Sequence, residues 1–84
     1  MIDRIYLTAM SLVVEDRKQS KTYYPYKWMK YSFMSFDFYN RAWNIQIDFV
    51  TGWWGFLVPD TNEANELLKN LNNKIYSMGM VHAI

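Results

Sequence analysis

The sequence predicts an α+β domain, an antiparallel four-stranded β-meander with one C-terminal amphipathic helix packed on one face. Three observations carry that expectation. Residues 43–49 alternate strictly between apolar and polar side chains, the period of a half-buried strand. Residues 54–58 continue the same alternation after a short turn. From Ala64 to Met78 the apolar residues recur every three or four positions, the period of a helix lying on a core.

Taken in order, residues 4–14 read as a first strand, apolar on both sides. Asp3 beside Arg4, no small-x-small site, and the following Glu15-Asp16-Arg17-Lys18 favour a strand over an export signal. Residues 15–26 read as a polar loop that becomes tyrosine-rich at Tyr23, Tyr24 and Tyr26. Residues 28–39 are aromatic and alternate imperfectly. A tight turn at Asn40-Arg41 would pair Phe38 with Trp43, Phe36 with Ile45 and Met34 with Ile47, all on one face.

Thr51-Gly52 supplies the next turn, with Val50 opposite Trp53 and the inward pairs Phe49/Trp54, Ile47/Phe56 and Ile45/Val58. Pro59 ends that strand. Asp60 with Glu63 three residues later forms a capping-box pattern. Ala64, Leu67, Leu68, Leu71, Ile75 and Met78 make the helix stripe, and Gly79 suits the C′ position. Asn65, Asn70, Asn72 and Asn73 fall on its solvated side. Residues 80–84 would add a short fifth strand at the edge.

The composition bounds the function. A chain of 84 residues makes a single domain, here 1–84, with no repeat and no internal boundary. The absence of cysteine excludes disulfides and thiolate metal sites and makes a reducing cytoplasm the expected location. No apolar run reaches the ~18–20 residues of a membrane-spanning helix, so no membrane partner is expected. Catalytic signals are few. His82 is the one histidine, no HExxH or glycine-rich phosphate loop occurs, and neither a cofactor nor a metal is expected. The expectation is a non-enzymatic protein.

Four Trp, seven Tyr and five Phe are more rings than so small a core readily hides. The strand register that buries one set turns another outward. Tyr31, Val50 and Trp53 would form one outer row. Phe33 would lie opposite Asp48 and Gly55, and Ser35, Gln46 and Leu57 would follow. A face carrying Tyr31, Phe33, Val50, Trp53 and Leu57 has the chemistry of a protein-docking patch. It would engage a protein partner or, by self-pairing, build a homodimer. The bland alternative is that the Tyr23–Tyr26 loop or the first strand covers these rings.

Arg17, Lys18, Lys21, Lys27 and Lys30 form a basic tract without an acid among them, interleaved with Tyr23, Tyr24, Tyr26 and Trp28; the rest of the chain is net acidic. Such a tract steers an acidic partner or pairs phosphates while its rings stack. Lys30-Tyr31-Ser32-Phe33-Met34-Ser35-Phe36 resembles the RNP1 segment of RNA-recognition motifs with its glycine deleted. That resemblance spans seven residues and implies Tyr31 and Phe33 as a base-stacking platform, with Met34 and Phe36 buried. In size, lack of cysteine and lack of catalytic residues the chain is similar to small inhibitors from phage and mobile elements, which occlude larger host machines. The leading expectation is therefore a protein-binding module, with single-stranded nucleic-acid binding as the alternative.

Overall fold

The structure, a computed structural model, describes residues 2–79. Six strands form two three-stranded antiparallel sheets, and one helix follows. Strands β1 (Ile2–Leu7), β2 (Ser11–Asp16) and β3 (Lys21–Pro25) make the first sheet. Strands β4 (Met29–Asp37), β5 (Ala42–Phe49) and β6 (Gly52–Val58) make the second, and α1 spans Thr61–Met78. The α+β class and the C-terminal helix agree with expectation. The single four-stranded meander does not, and the expected edge strand at 80–84 lies outside the described residues.

Two turns account for the extra strands. Residues 4–14 fold back on themselves at 8–11, a stretch without glycine, proline or asparagine. Thr8 does what those residues usually do. Its hydroxyl accepts from Ser11 N at 3.1 Å and donates to the Ser11 carbonyl at 3.0 Å, so Leu7 pairs with Leu12. The expected loop at 15–26 contains β3 because Asp16 organises another turn. Its carboxylate accepts from Lys18 N and Ser20 N at 2.9 and 3.0 Å, and Gln19 takes a φ of 64°. The chain then returns with Lys21 against Glu15 and Tyr24 against Leu12.

In the second sheet the faces are as expected, but both hairpins are shifted by two residues. Phe36 pairs with Trp43 and Met34 with Ile45. Residues 38–41 become the turn, where Asp37 accepts from Asn40 N and from Asn40 Nδ2, and Arg41 has a φ of 51°. Phe38, expected in the core, is 84% exposed. At the other hairpin Phe49 pairs with Gly52, so the turn is Val50-Thr51 and Ile47 faces Trp54. Gly52 closes that turn at a φ of 152°, which a side chain would resist. A two-residue shift keeps every side chain on its face, because the pleat repeats every two residues.

The core joins both sheets to the helix. Ala64, Leu71 and Ile75 of α1 are buried with Ile45, Ile47 and Phe56 of the second sheet and Leu12 of the first; Ile5, Leu7 and Tyr24 pack against the same cluster. Each fully buried aliphatic side chain is worth about 1.5–3 kcal/mol. Asp60 caps the helix, its carboxylate accepting from Glu63 N at 2.8 Å. Ser32 is a buried polar residue on the inner face, and its hydroxyl donates to Asn72, a residue expected to be fully solvated.

Gly79 ends the helix in an extended conformation, not the left-handed one a C′ glycine adopts. Glycine is needed there for a different reason. A Cβ would fall 2.6 Å from the Ile75 carbonyl and 2.7 Å from the Met29 carbonyl. Between the sheets runs a short 3₁₀ turn, Tyr26–Trp28. Tyr26 N donates to the Met10 carbonyl, Val50 N donates to the Trp28 carbonyl, and the Tyr26 hydroxyl donates to the Thr8 carbonyl at 2.7 Å. This connector is pinned to both sheets. Among the described residues, no helix is long and apolar enough to cross a membrane.

Candidate functional site

The outer face of the second sheet, away from the helix, is built by period-two alternation. Its rows are Tyr31–Asp48–Trp53, Phe33–Gln46–Gly55 and Ser35–Asn44–Leu57. Trp53 is 69% exposed, Tyr31 51% and Phe33 42%, and Val50 and Leu57 are also exposed. Neither the tyrosine-rich segment nor the first strand covers them. The shifted register changes their neighbours, however. Asp48, not Val50, stands between Tyr31 and Trp53, and Val50 moves to the turn at the rim. Gly55 faces Gln46, and its missing side chain makes room for Asn44 Oδ1 rather than for Phe33. Leu57 sits four residues beyond Trp53 on the same strand, about 13 Å away, with Gly55 between them. It borders the aromatic patch without belonging to it.

Asp48 gives this face its charge. Its carboxylate accepts from Gln46 Nε2 at 3.0 Å. That bond, the neighbouring Tyr31 hydroxyl and the nearby Lys30 ammonium hold it below the usual carboxylate range. The Asp48 carboxylate beside it, as acceptor and as negative charge, holds the Tyr31 hydroxyl above its ordinary value. The Tyr31 and Phe33 rings lie 6.0 Å apart, centroid to centroid, at 30°. The patch is thus aromatic with an ionised carboxylate at its centre.

A groove of about 570 Å³ opens beside this face, lined by Tyr24, Pro25, Trp28, Phe49, Val50, Thr51, Gly52, Trp53 and Trp54. It arises where β3 of the first sheet meets the β5–β6 turn of the second. Tyr24 stacks on Trp54 with ring centroids 4.7 Å apart, and it also meets Phe49. Val50 and Trp53 belong to both the groove and the outer face. Trp28 lies under Lys27, whose Nζ is 5.1 Å from the ring centroid. The groove was not legible in the sequence, because it needs the contact between sheets that were expected to be one.

The basic tract is not a single patch. Arg17 and Lys18 lie in the β2–β3 turn and Lys21 begins β3, whereas Lys27 and Lys30 follow its other end. At roughly 3.3 Å per residue, five residues of strand put the two groups well over 10 Å apart. Its tyrosines also diverge. Tyr23 is exposed on the outer face of the first sheet beside Val13, Tyr24 is half-buried in the groove, and Tyr26 is fully buried. Tyr26 is therefore a core residue and not a contact for a partner. Phe36, expected to be buried by the RNP1 resemblance, lies on the inner face at the β4 edge and remains exposed, edge-on to Phe38 and Trp43.

His82 lies outside the described residues. No group of three or more His, Asp or Glu side chains among the described residues is placed to hold a metal ion. Compared with known proteins, the chain matches no family model, no curated protein and no solved structure.

Proposed function

We propose that this chain is a non-enzymatic protein-docking module that binds a larger partner through the outer face of its second sheet. One observation carries the reading: Tyr31, Phe33 and Trp53, contributed by two strands on either side of β5, are all exposed together on one rigid face. Rings of this kind provide large contact area at low rotamer cost, the chemistry of interface hot spots. Trp53 is the anchor, Tyr31 and Phe33 extend the contact, and Val50 leads into the adjoining groove. Lys27 and Lys30 flank the patch and orient the partner, while Arg17, Lys18 and Lys21 form a separate basic group at the β2–β3 hairpin end. An inhibitor that occludes a cytoplasmic host protein fits this mode of action.

Single-stranded nucleic-acid binding is the second reading. The Tyr31–Phe33 pair favours it, since two neighbouring rings on a strand form a base-stacking platform. The ionised Asp48 between Tyr31 and Trp53 opposes it by repelling phosphates.

Capture from the native host lysate tests the proposal, with Trp53→Ala as control. The expected result is a retained partner lost with the variant, through a drop of about 2 kcal/mol or more in affinity. An unchanged set of partners with Trp53→Ala, or binding to oligonucleotides that weakens log-linearly with salt, rejects it.

A further inference from the structure

We propose that the centre of this face is a pocket for an arginine side chain presented by the partner protein, at Asp48 and Trp53. The inference rests on the docking reading above and names the chemistry that the docking surface selects. Asp48 and Trp53 are direct cross-strand partners, so their side chains rise side by side on the outer face. A guanidinium laid flat on the exposed indole reaches the carboxylate without leaving the ring.

The site is ordered before anything binds. Gln46 donates to Asp48 at 3.0 Å and fixes its orientation, with the Tyr31 hydroxyl as its cross-strand neighbour. One donor leaves ample acceptor capacity on a carboxylate, which has about four lone-pair sites. Among the described residues, the only ion pair is Arg4 with Glu15; Lys30 is near Asp48 but beyond ion-pair distance. Asp48 thus holds an ionised charge on an aromatic surface without a salt-bridge partner of its own.

Charge complementarity selects the occupant. Apart from Lys30 at the edge, the outer rows carry no Lys or Arg, and Asp48 and Asp37 are their charged groups. An anionic ligand would meet Asp48 unpaired. Lysine satisfies the charge but not the flat geometry over indole, so arginine fits better. Two exposed cations of the chain already lie over aromatic rings: Arg4 Cζ is 4.7 Å from the Tyr6 centroid and Lys27 Nζ lies over Trp28. No cation of the chain, among the described residues, lies over Trp53. The adjoining groove takes an apolar side chain next to the arginine.

The test is selection of short random peptides displayed on phage against the immobilised full chain, each selected peptide then being measured against the Trp53→Ala protein. Selected peptides are expected to carry arginine. The affinity of a synthetic selected peptide should fall roughly tenfold or more when its arginine is replaced by the neutral isostere citrulline. It should fall similarly with Asp48→Asn, which preserves shape and the bond from Gln46. Tyr31→Phe, which keeps the ring and removes the hydroxyl beside Asp48, should give a smaller loss. Trp53-dependent peptides without arginine enrichment, or an affinity unchanged by citrulline and by Asp48→Asn, overturn the arginine pocket and leave the docking face standing. Peptides that bind wild type and Trp53→Ala equally overturn both.

Discussion

Tyr26 was a candidate contact residue by sequence and is a core residue by structure, and the two roles respond differently to Tyr26→Phe. The ring is fully buried, and its hydroxyl donates to the Thr8 carbonyl at 2.7 Å across the turn that divides the first strand in two. Removing the hydroxyl forfeits that bond and strands a carbonyl, a loss of about 1–1.5 kcal/mol near neutral pH. The pH dependence is the sharper test. Burial pushes the Tyr26 hydroxyl above its ordinary value of 10.0, with the bond to Thr8 opposing in part. Its contribution is therefore complete below pH 10.0 and is lost as pH rises through the folded-state value, because the unfolded chain gives up the proton first. Each pH unit between the two values removes about 1.4 kcal/mol from the wild type. Phenylalanine has no proton to lose. Urea denaturation followed by tryptophan fluorescence, at pH 7 and at steps above pH 10, should show the gap between the two proteins closing in alkali. A gap that stays constant with pH refutes the burial argument. A Tyr26→Phe protein as stable as wild type at pH 7 refutes the bond itself.

Other substitutions test separate parts of the fold. Gly79→Ala should lower stability by about 1–3 kcal/mol, because the new methyl meets two backbone carbonyls that cannot rotate away; circular dichroism melts read it directly. If the left-handed C′ role expected from sequence were correct instead, Gly79→Asn would be tolerated, and it should not be. Asp60→Ala removes the acceptor for Glu63 N and should cost about 1 kcal/mol in chemical denaturation, with Asp60→Ser recovering most of it. Trp53→Ala, at an exposed position, should leave the melting temperature nearly unchanged while abolishing partner capture. A large loss of stability there would reassign the indole to the fold.

The helix was legible in detail. Its cap at Asp60 and its stripe from Ala64 to Met78 depend on neighbours within one or two turns, and the structure reproduces both. The faces of β5 and β6 were legible too, because alternation is a local property. The strands before them were less so. No glycine, proline or asparagine marks the turn at 8–11, and a threonine hydroxyl does that work only once Ser11 comes into range. Thr22, Tyr23 and Tyr24 are β-favouring side chains that signal β3, but the charged and polar residues from Glu15 to Lys21 mask that signal with the composition of a loop. Asp16, followed by the polar run from Arg17 to Thr22, was the available signal for that turn.

Sequence by itself determined which side of the second sheet the residues from Tyr31 to Val58 occupy, and so which rings would be available to a partner: parity survives a slip of two, and fails only at Met29, where a register shift before Tyr31 turns the side chain into the core. It left open which residues stand opposite one another. Placing Asp48 between Tyr31 and Trp53 depends on where each turn closes, and that is decided by the Asp37–Asn40 contacts and the positive φ that Gly52 accepts. The groove at Trp54 required the meeting of two sheets distant in sequence, a contact with no local periodicity to announce it. Short-range forces thus set the faces, and long-range packing set the site.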